Sequence, residues 1–298
     1  MGSLNVAKRY GVFRHPAVRQ QIEQLDATQD CQQIVALLSS YEFPIDIQHA
    51  LELALLYTYA SPKISRLLDR TSEFAKHGQK RYDDTKILIG LLLESGWDGA
   101  FGQQSLARIN QTHGHYRIYN DEFLFVLWTF IDFPIWWTGQ FSHRPMTAHE
   151  QTAWFQFWVG IGERMNIQDI PTDKATFDQW MQVYRMREFY YDPANQRITD
   201  ATTRIIENWL PEPLQPLVKW GVSGLMDQEF LYSVGYSRPS VLQKQLCHWS
   251  IKAYCTLRQP IFWEHYPIES SKTKDRYARQ QLQAVDQIQP YRLEKSKR

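Results

Sequence analysis

Between Arg81 and Tyr116 the chain carries five side chains that can do chemistry if the fold brings them together: Arg81, Asp84 and Thr85, then His113 and His115. Residues four apart share one face of a helix, so Arg81 and Thr85 point the same way, with Asp84 close beside them. Ile87, Leu88, Leu91 and Leu92 follow and turn this helix towards the interior. An arginine on such a face needs a counter-charge, because an unpaired buried ion is costly; Asp84 or an anionic ligand can supply it. The plainer use of the same residues is an Arg–Asp pair near a helix start. His113 and His115 lie two apart, about 200° around a helix axis, so both cannot aim at one point unless the helix has ended. A neutral imidazole on a helix can ligate haem iron, with polar groups on the opposite wall governing oxygen. It can equally be a hydrogen-bonded core histidine.

Two helices must position these groups. The first runs from about Lys80 to Glu94 and stops at Ser95-Gly96; the second begins near Phe101 and runs to about Tyr116. Ahead of them, amphipathic helices span the region from Pro16 to Tyr41. Pro44 then opens IDIQHALELALLYTYA, and KISRLLDRTSEFA leads to a C-cap at His77-Gly78. Asn120-Asp121 caps an aromatic helix over 122–132 that ends before Pro134, and FLFVLWTFIDFPIWW reads as a buried core helix rather than a membrane span. Thr147 with Glu150 three residues on forms a capping box. Further helices run from Pro171-Thr172 through Phe189, from Asn195 to Leu210-Pro211, and from Val241 to Gln259. Strand alternation is almost absent, so the class is all-α, with one large helical domain over 1–269. Residues 270–298 form a Gln-rich tail with eight basic and three acidic side chains, which reads as a solvated end.

Composition narrows the partners. With 33 basic against 32 acidic side chains the net charge is +1, so no electrostatic footprint for nucleic acid exists. Eleven Trp, 16 Tyr and 15 Phe supply rings that line apolar ligand cavities as readily as they fill cores. Cys31, Cys247 and Cys255 are odd in number and lack CxxC spacing, which points to a reducing, intracellular compartment. The MGSLNV start lacks a secretory apolar core and fits a myristoylation pattern only loosely, since Asn5 and Val6 stand where Ser or Thr is wanted. Asp83-Asp84 suggests the magnesium motif of terpene synthases, but DDTKI lacks the third acid. Walker, dinucleotide-glycine, HExxH and GxSxG motifs are absent, and the GxG of VGIGERM reads as close helix packing.

Five ordered blocks carry a family resemblance: TYASPKISRLLDRTSEF, KRYDDTKILIGLLLESGWDG, LARINQTHGHYRIYNDEFLFVLWTFIDFPIWW, HRPMTAHEQTAWFQFWVGIGERMNIQDIP and DATTRIIENWLP. Over residues 55–211 the chain resembles the family that groups fungal mycophenolic-acid-pathway B oxygenases with bacterial rubber oxygenases. The resemblance implies a haem b protein with a globin-like helical core that uses dioxygen to cleave carbon–carbon double bonds in isoprenoid chains. It places the axial iron ligand on His113, with His115 as the fallback. It also sets Arg81 and Thr85 on the opposing catalytic wall, where the DDT spacing adds Asp84 as a candidate base, and has Arg81 and Arg108 join His113 in binding the cofactor. Two departures set this chain apart from the rubber-cleaving branch: Asp84 stands where that branch has lysine, and no glutamate occurs between Leu53 and Ser72, where it has a base.

The expected partners are therefore an apolar prenyl or terpenoid compound and dioxygen, with peripheral contact to a membrane, in a cytoplasmic or membrane-associated protein. Two rivals stay open: a haem-binding protein without oxygenase chemistry, and a helical module that binds lipid or terpenoid without reaction.

Overall fold

The computed structural model describes residues 17–258, 268, 276–282 and 284–290. The MGSLNV start and much of the basic tail lie outside these. In chain order the α-helices are α1 (Ala17–Gln24), α2 (Cys31–Leu37), α3 (Pro44–Tyr57), α4 (Pro62–Thr71), α5 (Glu73–Ser95), α6 (Ala100–His113) and α7 (Asn120–Gln140). They continue as α8 (Ala148–Arg164), α9 (Lys174–Glu188), α10 (Pro193–Glu207), α11 (Pro216–Leu225), α12 (Gln228–Ser233), α13 (Val241–Arg258) and α14 (Arg276–Gln281). Among the described residues there is no strand, so the fold is all-α.

The aromatic helix α7 is apolar on every side and is accordingly buried, packed between α3, α8 and α9. It does not stop before Pro134 but passes through it to Gln140. Proline at 134 removes the N–H that the Phe130 carbonyl would accept, and the Trp154 indole N–H of α8 takes that carbonyl instead at 3.1 Å. The lost helix bond is replaced from a neighbour, so the helix survives. Trp154→Phe keeps an aromatic ring in this fully buried place but orphans the Phe130 carbonyl. It is expected to lower stability by about 1–3 kcal/mol, read as a shifted denaturant midpoint at unchanged slope.

Local punctuation also differs at His77-Gly78. The chain break there is a kink inside α5, with His77 at φ −136°, ψ 31°, while the left-handed cap falls earlier, at Ser72. Gly78 serves packing: a Cβ there would meet Ile205 of α10 at 2.8 Å. Gly160 and Gly162 do the same for Trp97 and Leu127, and the Thr147–Glu150 capping box forms as the spacing dictates. The described part of the C-terminal tail is not solvated. Ala278, Val285 and Ile288 are buried against Ile87 and Leu91 of α5, because the apolar side chains of that helix leave a second stripe that the tail covers.

Candidate functional site

α5 and α6 form an antiparallel hairpin, and its tight connection depends on glycine. Gly96 sits at φ 65°, and a Cβ on Gly102 would overlap the Gly96 carbonyl. Arg81 lies 14 residues before the last residue of α5, and His113 lies 13 residues after the first of α6. At 1.5 Å per residue each is about 20 Å from the turn, so the hairpin brings them to the same level. Both line a cavity of about 1410 Å³ whose wall is mostly apolar, drawn chiefly from α3, α4, α5, α6 and α7.

His113 closes α6, with its ring 5.5 Å from that of Phe123. Burial pushes its imidazole down to about 4, and the Arg81 charge adds to the effect, so it is neutral at ordinary pH. Its Nδ1 is sealed from solvent and has no hydrogen-bond partner among the described residues. The helix has ended by residue 115, yet His115 turns outward: it is exposed, with Nδ1 2.7 Å from the Gln111 carbonyl. Of the two histidines only His113 lines the cavity.

Across from it, Arg81, Asp84 and Thr85 all border the cavity, as the one-face spacing predicts. Their engagements differ. The Thr85 hydroxyl donates back to the Arg81 carbonyl at 2.8 Å. The Asp84 carboxylate does not neutralise Arg81: Lys80 Nζ and the Tyr277 hydroxyl hold it at 2.7 and 2.6 Å. Among the described residues the Arg81 guanidinium makes no ion pair and lies 5.8 Å from the Phe74 ring.

Residues 50–250 match the family model described as ER-bound oxygenase mpaB/B'/Rubber oxygenase, catalytic domain. The chain belongs to this family. It is 29% identical over 221 residues to the ER-bound oxygenase mpaB' of Penicillium brevicompactum, covering 68% of this chain and 52% of that protein. It is likewise 29% identical over 222 residues to the ER-bound oxygenase mpaB of Penicillium roqueforti (strain FM164), covering 68% and 74% respectively. A third relative, mpaB of Penicillium brevicompactum, is 30% identical over 195 residues, or 59% of this chain and 50% of its own length. The matched region thus spans about half the length of two of these relatives and about three-quarters of the third.

Arg108 stands apart from the oxygenase-family cavity. It is buried, but its guanidinium donates to the Ile288 carbonyl, to Gln111 Oε1 at 2.5 Å and to Gln289 Oε1 at 2.7 Å, so it anchors the C-terminal segment rather than facing the cavity. The expectation that it joins Arg81 and His113 is therefore corrected: sequence spacing placed it on the right helix but could not reveal that residues 288–289 return to claim it.

The cavity also has carboxylates that sequence reading passed over. Glu52 of α3 directly precedes the glutamate-free stretch from Leu53 to Ser72. It accepts from Gln48 at 2.9 Å and from the Tyr82 hydroxyl, and meets His49 Nδ1 at 3.2 Å. Burial pushes its carboxyl up, but the hydrogen bonds and charge of His49, with those of Tyr82 and Gln48, win and hold it below the usual range. Glu122 of α7 is almost wholly buried; burial raises it despite Lys63, whose Nζ is 3.5 Å away. The i, i+3 and i, i+4 relations of Glu52 to His49 and Gln48 were a legible signal. Glu122 and Lys63 meet only through tertiary packing.

Proposed function

We propose that this chain is a haem b-dependent oxygenase that uses dioxygen to cleave a carbon–carbon double bond in an apolar, prenyl- or terpenoid-type substrate. The observation that carries this reading is the neutral His113, whose solvent-sealed Nδ1 has no partner among the described residues, level with Arg81, which makes no ion pair among them, on the cavity wall. An orphaned buried polar atom costs about 1–3 kcal/mol, which a bound group at that ring relieves. Arg81 and the likewise unpaired Arg117 supply cations for the carboxylates of a porphyrin edge. A cavity of about 1410 Å³ exceeds the range of about 300–1,000 Å³ usual for one small ligand, so it has room for a flat macrocycle and an apolar chain beside it. The residues present therefore fit a haem that His113 would ligate among packed helices.

When bound, haem iron supplies the site that binds and activates dioxygen. His113 would hold the iron, and Arg81 would supply a positive charge on the cavity wall. Phe123, Val126, Leu127 and Phe130 exclude water and bury the substrate chain, each CH₂ contributing about 0.8 kcal/mol. The DDT spacing suggested Asp84 as the base, but Lys80 and Tyr277 already engage both of its carboxylate oxygens. Glu122, raised in pKa and lacking a hydrogen bond at Oε1, is the carboxyl on this wall best suited to hold a proton. The overall reaction adds both oxygen atoms across the alkene and gives two carbonyl fragments.

The test is direct. Protein expressed with ample haem precursor should show a Soret band. Under oxygen it should convert a prenyl alkene into two carbonyl products whose summed mass equals substrate plus dioxygen. Absence of the band would refute the haem assignment, and a band without products would leave a haem carrier.

A further inference from the structure

Residues 230–263 form a run of 34 positions without a single Asp or Glu, although 32 of the 298 residues are acidic, which spread evenly would place three to four acids in such a window. The run keeps Arg238, Lys244, Lys252 and Arg258. It contains α13, and that helix is strongly two-faced. Leu242, Leu246, Trp249 and Leu257 are 65%, 49%, 73% and 74% exposed. At 100° per residue they fall within about 80° of arc, one unbroken stripe. On the opposite face Cys247 and Cys255 are buried and Ile251 borders the cavity.

The neighbouring α11 repeats the arrangement. Leu217 is 53% exposed on its outer side, while Val222 and Leu225 line the cavity on its inner side. The two helices are held tightly together. A Cβ on Gly224 would lie 2.6 Å from Cys247, and the Cys247 thiol reaches the Gly221 carbonyl at 3.6 Å. The α11–α13 pair therefore walls the cavity with one face and presents to the outside a stripe of large apolar side chains; the two helices carry no acid of their own, Lys219 pairs with Asp200, and Lys252 flanks the stripe with its Nζ 3.3 Å from the Ser142 carbonyl.

We propose that the outer faces of α11 and α13 dock the protein onto an anionic lipid bilayer, lying in the plane of the interface. The chemistry selects this occupant. An apolar stripe with a Trp, in a segment that keeps four basic residues and no acid, matches the headgroup region of an anionic leaflet. A second copy of the chain fits poorly, because a two-fold contact sets this cationic surface against itself. The contact is in-plane, since among the described residues no helix is long and apolar enough to cross a membrane. The inner face of the same two helices forms cavity wall, so docking brings the lipid phase to within one helix thickness of the cavity. An apolar compound dissolved in the bilayer then has a short route inward. The docking surface itself stands whether or not the cavity holds haem.

Flotation of the purified full chain with phosphatidylcholine vesicles, with and without phosphatidylserine, tests this. The chain is expected to float with phosphatidylserine vesicles and to stay largely free with phosphatidylcholine alone. Trp249→Asp, at a largely exposed position, should cut the bound fraction by roughly tenfold. Gln245→Glu, nearly isosteric, places one acid beside the stripe and should weaken binding to the anionic vesicles by about fivefold. Far-UV circular dichroism of both variants must match the parent. Equal binding to both vesicle types, undiminished binding by both variants, or no binding at all would overturn the proposal. So would light scattering that shows a dimer dissolved by Trp249→Asp, which would assign the stripe to a second copy.

Discussion

Replacing His113 with alanine is expected to abolish the Soret band, with haem affinity at least about a hundredfold weaker, while His115→Ala retains the spectrum of the parent protein. The contrast follows from the end of α6. The two side chains are two residues apart, but one lines the cavity and the other bonds the Gln111 carbonyl in solvent. A second reading separates ligation from mere structural loss. A core histidine kept for its hydrogen bonds would destabilise the fold when removed. His113 has no partner for Nδ1, so its removal orphans nothing and relieves a buried polar atom, against the loss of its packing on Phe123. The haem-free His113→Ala protein should therefore unfold within about 1 kcal/mol of the haem-free parent. A loss of several kcal/mol without haem would mean that the ring is a structural element, and the absent Soret band would then say little about ligation. Haem titration followed at the Soret wavelength, with denaturant melts of both haem-free forms, gives the two readings.

Much of this site could be read from the sequence, because its first determinants are local. Helical spacing put Arg81 and Thr85 on one face, and the glycines at 96 and 99 marked the turn that sets α6 antiparallel to α5. What escaped depended on contacts distant in sequence. The Phe130 carbonyl is met by Trp154, 24 residues on, so the helix that a proline should end continues through it. Gly78 looked like a helix stop because its role is an approach by Ile205, 127 residues away. The tail looked solvated because its charges dominate its composition. Yet three apolar side chains, Ala278, Val285 and Ile288, are enough to seat it on the second stripe of α5. Arg108 was assigned to the cavity, and Asp84 to a free carboxylate on its wall, for the same reason, that the segment which engages them lies some 180 residues or more downstream.

Asp84 is where that oversight has the largest consequence. Both of its carboxylate oxygens are occupied, Oδ2 by Lys80 and Oδ1 by Tyr277, and the side chain is 2% exposed. Lys80 also donates to the Gln289 carbonyl at 2.7 Å, so the three groups tie α5 to residues 277 and 289 of the tail. A carboxylate with one oxygen engaged by an ammonium and the other by a phenol hydroxyl is committed to that clamp rather than open to a reacting group. Asp84→Ala is expected to lower stability by about 3 kcal/mol, because it removes the buried carboxylate that the Lys80 ammonium and the Tyr277 hydroxyl both bind. It should also speed backbone hydrogen exchange across 276–290. Tyr277→Phe breaks the same clamp but spares the acid, and should reproduce the faster exchange with a smaller stability loss of about 1 kcal/mol. The pair distinguishes clamp from chemistry. If Asp84 acts only by holding the tail, turnover per haem in Asp84→Asn should follow that of Tyr277→Phe. If the carboxylate takes part in the reaction, turnover should collapse in Asp84→Asn while Tyr277→Phe retains it, with exchange over the tail equal in the two. The hydrogen bonds favour the first outcome, and with it a role for Glu52 or Glu122 in any proton transfer at the cavity wall.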